Sequence, residues 1–152
     1  MRHGPTSHSH ENAWSLRLIR YDTGNDLDFS TFIELYHAST LGERRPVGDE
    51  ERMRRMLENA NLVITAWDGD LLVGLARSMT DFVYATYLSD LAVRVSHQRQ
   101  GIGRELMRRT QEAAPQATLI LLAAPAADDY YPHTGFTRHP RAWVLASDER
   151  VR

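Results

Sequence analysis

The chain has 152 residues, a formal net charge of −2, 42% hydrophobic and 25% charged residues, which fits one globular domain with a real core. The slightly negative balance excludes a global basic field that would draw in nucleic acid or an anionic membrane. The absence of cysteine excludes disulfides, thiolate zinc sites and a cysteine nucleophile, and is compatible with the cytoplasmic location we expect.

Residues 1–13, MRHGPTSHSHENA, are polar and predict a disordered tail ahead of a single domain over 14–152. His3, His8 and His10 in that tail are read as solvated, and we assign no metal. The N-terminus lacks the apolar core of a signal peptide, and no apolar run approaches the roughly 18 residues that span a bilayer.

Ser15 to Tyr21 reads as a first strand and Thr23 to Asp26 as a turn. Phe29, Phe32, Ile33 and Tyr36 fall on one face of a first helix, with Asp26, Asp28 and Ser30 as alternative caps. Leu41 to Gly48 is a loop. A second helix starts near Asp49, with Met53, Met56, Leu57 and Ala60 as its buried stripe. Asn61 to Trp67 and Asp70 to Met79 read as strands joined by a two-residue turn at Asp68-Gly69. Another strand covers about Phe82 to Val95. Ile102, Leu106, Met107 and Thr110 mark one face of a third helix that ends before Pro115. The apolar run Thr118 to Ala124 suits a strand buried on both faces, parallel to the strand before the helix. Pro125 to Pro132 has room for a short helix, and Phe136 to Ala146 reads as a last strand. An apolar last strand also offers an edge for pairing across a homodimer.

The stretch LSDLAVRVSHQRQGIGREL, Leu88 to Leu106, carries the chemistry. A strand runs into a polar loop that ends in Gly101-Ile102-Gly103, where a helix begins. Such a turn presents unpaired backbone N–H groups, reinforced by the helix dipole, to an anion. It is not a Walker loop, because no Gly-Lys-Ser/Thr follows. It is not the dinucleotide fingerprint, because Leu106 stands where the third glycine belongs. The form present is a Gln/Arg-x-x-Gly-x-Gly/Ala pattern over Gln98 to Gly103.

LAVRVSHQRQGIGREL resembles the acetyl-CoA-binding motif of the GNAT superfamily of N-acetyltransferases. A second stretch, AAPAADDYYPHTGF over Ala123 to Phe136, resembles the later Ala-x-x-x-(Phe/Tyr)-Tyr-x-x-x-Gly-Phe segment of that family. One helix and one strand separate the two, as the family requires, and the shared element order covers about residues 15–146. Two departures stand out: Gln98 where many members carry Arg, and Arg99 where many carry Gly.

The resemblance implies an α/β (α+β) fold with a mixed, mostly antiparallel sheet and helices on both faces. It implies transfer of acetyl from acetyl-CoA to a primary amine, on a small molecule or a peptide, by direct attack in a ternary complex. Backbone amides of Gln98, Arg99, Gln100, Gly101, Ile102, Gly103 and Arg104 would hold the pyrophosphate, with Arg99 and Arg104 adding charge. Leu91, Ala92 and Val93 match the strand that pairs with the pantetheine arm and the acetyl carbonyl; that strand and the next would splay apart. Tyr131 matches the tyrosine facing the cofactor sulfur. The acid that some members carry four residues before the position of Leu91 is Tyr87 here. Glu34, His37, Asp81 and His133 remain as bases to be weighed, and we assign none. Acceptor selection would fall to Tyr36 through Glu51, with Tyr84 and Tyr87 as an aromatic wall or as ordinary sheet aromatics. The alternatives are a non-catalytic CoA-binding domain of the same fold and a transferase using another acyl-CoA. A nucleic-acid module built on Arg99, Arg104, Arg108 and Arg109 disagrees with the acidic balance.

Overall fold

Residues 18–152 are described by a computed structural model. The expected tail over 1–13 and the first residues of the expected first strand lie outside the described residues. Strand β1 is Arg20–Thr23, later in the chain than the sequence pattern suggests. Helix α1, Phe29–Ala38, is capped by Asp28, whose carboxylate accepts from Thr31 N at 3.1 Å. Its buried residues, Phe32, Leu35 and Tyr36, recur at helical spacing. A single 3₁₀ turn, Leu41–Arg44, lies in the connection to helix α2, Glu50–Glu58. Asp49 caps α2 by accepting from Arg52 N at 3.1 Å, and Glu50 and Glu51 complement its dipole.

Strands β2 (Leu62–Asp68), β3 (Leu71–Thr80) and β4 (Ala85–Val93) form an antiparallel meander. Asp68 pairs with Leu71, so the turn residues are Gly69 and Asp70, one place later than expected. Gly69 takes a φ of 59°, which only glycine adopts cheaply. Helix α3, Ile102–Ala113, leads to strand β5, Thr118–Ile120, which is parallel to β4. The sheet order is β1-β2-β3-β4-β5. It is mixed and mostly antiparallel, as expected.

Two register shifts shape the sheet. Ala66 pairs with Gly74 and Trp67 with Leu72, leaving Val73 as an extra residue in β3. Arg77 pairs with Asp90 and Ser78 with Leu88, leaving Ser89 as an extra residue in β4. Each is a β-bulge, which bends its strand and re-aims side chains.

Helices cover both faces. Phe32, Leu35, Tyr36, Met53 and Leu57 of α1 and α2 pack with Val63, Leu72, Leu75 and Ala92 on one side. Helix α3 lies on the other, where Ile102, Leu106, Met107 and Thr110 are buried. Gly74 marks its closest approach: a Cβ there would sit 3.0 Å from Ile102 Cγ2 and Leu106 Cδ1, and 3.3 Å from Ala66 Cβ.

The chain divides into two compact units, one ending at Ile120 and the other running from Leu121 to Arg152. The second unit holds two 3₁₀ turns, Pro125–Ala127 and Tyr131–Thr134, in place of the expected short helix. Two strand expectations are corrected here. The run Thr118 to Ala124 is a strand only as far as Ile120, and it is not buried on both faces: Ile120 and Leu122 are about half exposed. Its ladder stops where β4 approaches the Ser89 bulge. Phe136 to Ala146 is no strand, and Trp143, Val144 and Leu145 are exposed. Three consecutive apolar residues lack the alternation of a half-buried strand, and without a ladder partner an extended segment has no sheet.

Gly74→Val should lower stability by about 1–3 kcal/mol, the usual cost of overpacking a filled site. Denaturant unfolding checks this, and Gly74→Ala should cost less because its neighbours are side-chain methyls.

Candidate functional site

The loop between β4 and α3 is built to hold one shape. Arg94 follows β4 directly; its N–H donates to Val73 O at 2.8 Å, and its guanidinium donates to Leu72 O at 2.9 Å and Glu34 Oε1 at 2.7 Å. A 3₁₀ turn, Val95–His97, comes next. His97 Nε2 lies 2.9 Å from Oδ2 of Asp68, the last residue of β2, and Gln98 Nε2 donates back to Val93 O at 3.1 Å. Arg99 and Gly101 then take left-handed φ values of 62° and 82°. Backbone that alternates hand in this way turns successive N–H groups toward one concave side. For Arg99 that conformation costs about 1 kcal/mol, because it carries a Cβ. Arg99 is one of the two departures from the motif that the sequence resembles, at a position where many members carry Gly.

Gly101 is the N-cap of α3 and makes no side-chain cap bond. The helix ladder opens with Glu105 N donating to Gly101 O at 3.1 Å, so the N–H groups of Ile102, Gly103 and Arg104 stand ahead of it. Ile102 itself is buried and pins this turn to the sheet, while Arg104 is exposed. Gln98 through Arg104 are therefore gathered on one loop and helix start. Arg108 and Arg109 point elsewhere: both are ion-paired with Glu105, and Arg108 also with Glu112.

Along β4, the ladder to β5 comprises Ala85–Thr118, Thr86–Leu119 and Tyr87–Ile120, and then ends. Leu91, Ala92 and Val93 lie beyond it, paired on the β3 side alone. That edge leads straight into the loop. An open cleft of about 490 Å³ lies at the other end of the stretch, lined by Asn61, Thr80, Asp81, Tyr87 and Ile120 among others.

Beside the bulge sits a buried ionic cluster. Asp90 is fully buried; it accepts from Arg77 Nε at 2.6 Å, from Arg45 Nε at 2.6 Å and from the Tyr36 hydroxyl. Arg77 also donates to Met56 O at 3.1 Å and Ser89 Oγ at 3.0 Å. Burial alone would raise the Asp90 carboxyl, yet Arg77, Tyr36 and Arg45 hold it below the usual carboxylate range. Burial, reinforced by the Asp90 charge, pushes the Tyr36 phenol up, so it stays a neutral donor. Strand alternation puts Asp90 on the face of Ala92, toward α1, and opposite Leu91 and Val93; sequence reasoning missed its partners Arg45 and Arg77. The signal was available for Arg77: a lone arginine in the apolar strand LLVGLARSM needs a buried acid.

The carboxylate bases weighed from sequence are poorly suited to that role. Glu34 is locked to Arg94, whose hydrogen bonds hold it below its ordinary range. Asp81 Oδ1 accepts from the N–H groups of Tyr84, Ala85 and Val83 at 2.8–3.0 Å, which lowers it too. His37 lines a separate open cleft with Phe29 and Ile33. His133 and Tyr131 belong to the second unit. There, Tyr131 is half-buried, its ring edge-on to Tyr130 at 5.4 Å and to Phe136 at 5.6 Å. Thr134 Oγ1 and Phe136 N both donate to its carbonyl, and Gly135 closes the turn at a φ of 95°. Among the described residues, no three His, Asp or Glu side chains converge as metal ligands.

Residues 40–144 match the family described as acetyltransferase (GNAT) domain. The chain belongs to the GNAT family. An uncharacterized N-acetyltransferase ycf52-like protein of Prochlorococcus marinus is 30% identical over 105 residues, 64% of this chain; the chain spans 57% of that relative's length. A GNAT-family acetyltransferase of Streptococcus pneumoniae TIGR4 superposes with a TM-score of 0.69 at 25% identity, covering 84% of this chain and 98% of that one. An aminoglycoside N-acetyltransferase, AAC(6')-Iy, solved in complex with CoA, shares the fold alone, at a TM-score of 0.67 and 13% identity over 86% and 95% of the two chains.

In this GNAT chain the ionic cluster is also a stability element. Asp90 is held below its unfolded value, so its contribution is present above about pH 4 and is lost as pH falls through the lower, folded value. Asp90→Ala, which leaves Arg77 buried without its counter-charge, should lose about 3–5 kcal/mol at neutral pH. Denaturant titrations across pH check this: the gap to wild type should narrow below about pH 4.

Proposed function

We propose that the chain transfers acetyl from acetyl-CoA to a primary amine, by direct attack within a ternary complex. The observation that carries this reading is the continuity of a β4 edge free of β5 pairing, from beyond Tyr87 to Val93, with a loop of left-handed turns and a bare helix start. The free edge suits an extended pantetheine arm with amide groups at pantetheine spacing. Leu91, Ala92 and Val93 would supply its backbone partners. The amides of Gln98 to Arg104 suit the pyrophosphate, each bond being charge-assisted. The aminoglycoside acetyltransferase of the same fold was solved with CoA, which supports the donor.

Tyr131 is assigned to the leaving thiolate. A thiol has a pKa near 8.5 and a tyrosine near 10, so full proton transfer from the phenol to the free thiolate is uphill by about 2 kcal/mol. The phenol instead donates a hydrogen bond to the sulfur as the C–S bond breaks; CoA leaves as the thiol, and the phenol's proton is replaced, through solvent, by one that the amine releases. The nucleophile is the acceptor's own amine, which must lose a proton at a cost of about 4.6 kcal/mol at pH 7. We place the acceptor against the α1–α2 connection, Tyr36 through Glu51, with the open cleft beside Tyr87 giving access to solvent.

An acceptor screen that follows free CoA thiol tests the reading. Thiol is expected to appear with acetyl-CoA only when an amine is present. CoA binding without thiol release for any amine would favour a non-catalytic CoA-binding domain, and release only with longer acyl groups would favour another donor. With a good acceptor, Tyr131→Phe should lower kcat about 100-fold with CoA affinity unchanged; a wild-type rate would remove Tyr131 from the mechanism.

A further inference from the structure

The connection between α1 and α2 is tied to the sheet at one side chain. Arg45 follows the 3₁₀ turn in that connection and reaches the bulge of β4. Its Nε donates to Asp90 Oδ1 at 2.6 Å, its second nitrogen to Ser89 O at 2.8 Å and its third to Arg44 O at 2.8 Å. One planar guanidinium thus holds the extra residue of β4 and its own loop at once, a geometry lysine cannot reproduce. Asp90 orients it, and Asp90 is itself fixed by Arg77 and Tyr36, which add β3 and α1 to the same unit. Arg77 extends the tie to α2 through Met56 O.

Ser89 stands two residues beyond the last β4–β5 pair and two before Leu91. The bulge is therefore the point where the strand changes from pairing with β5 to offering its edge. We propose that Arg45 is a positioning residue: held by Asp90, it clamps the α1–α2 connection onto the Ser89 carbonyl, so that the wall facing the acceptor and the strand seating the thioester keep one relative position. The inference rests on the acetyl-transfer reading for its kinetic consequence, and on the geometry alone for the clamp.

The full chain with acetyl-CoA and an accepting amine provides the test. Arg45→Gln, at a partly exposed loop position, is expected to raise the acceptor KM about tenfold while the Kd for CoA stays within about twofold. Arg45→Lys should recover only part of that loss. In hydrogen exchange, amides of residues 40–48 and of Ser89 to Leu91 should exchange faster in Arg45→Gln, with those of α3 unchanged. An unaltered acceptor KM, an equal loss of CoA affinity, or exchange that rises evenly over the chain would overturn the clamp. A wild-type protein that binds CoA and acetylates no amine overturns the acetyl-transfer reading instead, and the exchange measurement then decides the clamp by itself.

Discussion

A single unpaired residue in β4 sets the layout of this molecule. With Ser89 inserted opposite the Arg77–Ser78 step, β4 bends, and the residues on either side of it face different tasks. Before the bulge, Ala85 to Tyr87 complete a parallel ladder with β5. After it, Leu91 to Val93 keep only their β3 partners and run into the loop. A regular strand would have gone on pairing on both edges, and a sheet paired on both edges has no backbone groups to offer a ligand. The bulge also turns Ser89 and Asp90 toward the α1–α2 side, where one carboxylate meets two guanidiniums and a phenol. Such a cluster is a poor source of net stability compared with an apolar core. Its use here is geometric, since it fixes four elements against the bulge of β4.

The loop after β4 shows the same economy of regular structure. Its curvature needs left-handed backbone at two positions, and only Gly101 supplies one without cost. Arg99 supplies the other under strain, which the surrounding ties of Arg94, His97 and Gln98 hold in place. On the far side, Gly74 lets Ile102 seat the start of α3 directly on the sheet. A bulkier residue in β3 would lift the helix start and with it the N–H groups that stand ahead of the ladder. Residues remote from any ligand thus decide where the amides point.

Periodic parts of the chain were legible from sequence and aperiodic parts were not. The stripes Phe32-Leu35-Tyr36, Met53-Leu57 and Ile102-Leu106-Met107-Thr110 are buried as their spacing requires, because helical burial depends on a local repeat. The glycine loop was found because its signal is local as well. Strands depend on partners that the sequence does not name. TLILLAA has the composition of a doubly covered strand, yet it is a strand for three residues only and is not buried on both faces, since its neighbour bends away. Trp143 to Leu145 is apolar but exposed, and has no ladder. The bulge left no trace in sequence, and Arg45 looked like one more charge in LGERRPVGDE, because what distinguishes it is an acid distant in the chain.

The electrostatics of the first unit also bear on how an amine could lose its proton. A base must sit near the operating pH to help, and the carboxylates here are driven the other way: Glu34 by Arg94, Asp81 by three backbone N–H groups, Asp90 by Arg77, Tyr36 and Arg45. A carboxylate held that low accepts a proton weakly, so none of the three is a match for an ammonium of pKa near 10. Each is spent on architecture: Glu34 on the loop anchor, Asp81 on the β3–β4 turn, Asp90 on the bulge. Under the proposed acetyl transfer, the amine's proton would then have to pass to solvent, which the open cleft beside Tyr87 admits, or belong to an acceptor whose amine is already partly neutral at pH 7. A primary amine with a lowered pKa, as when a second cationic group lies a few bonds away, meets that condition with less help from the protein. Under that reading, the acceptor's own acidity would carry part of the work of a dedicated base.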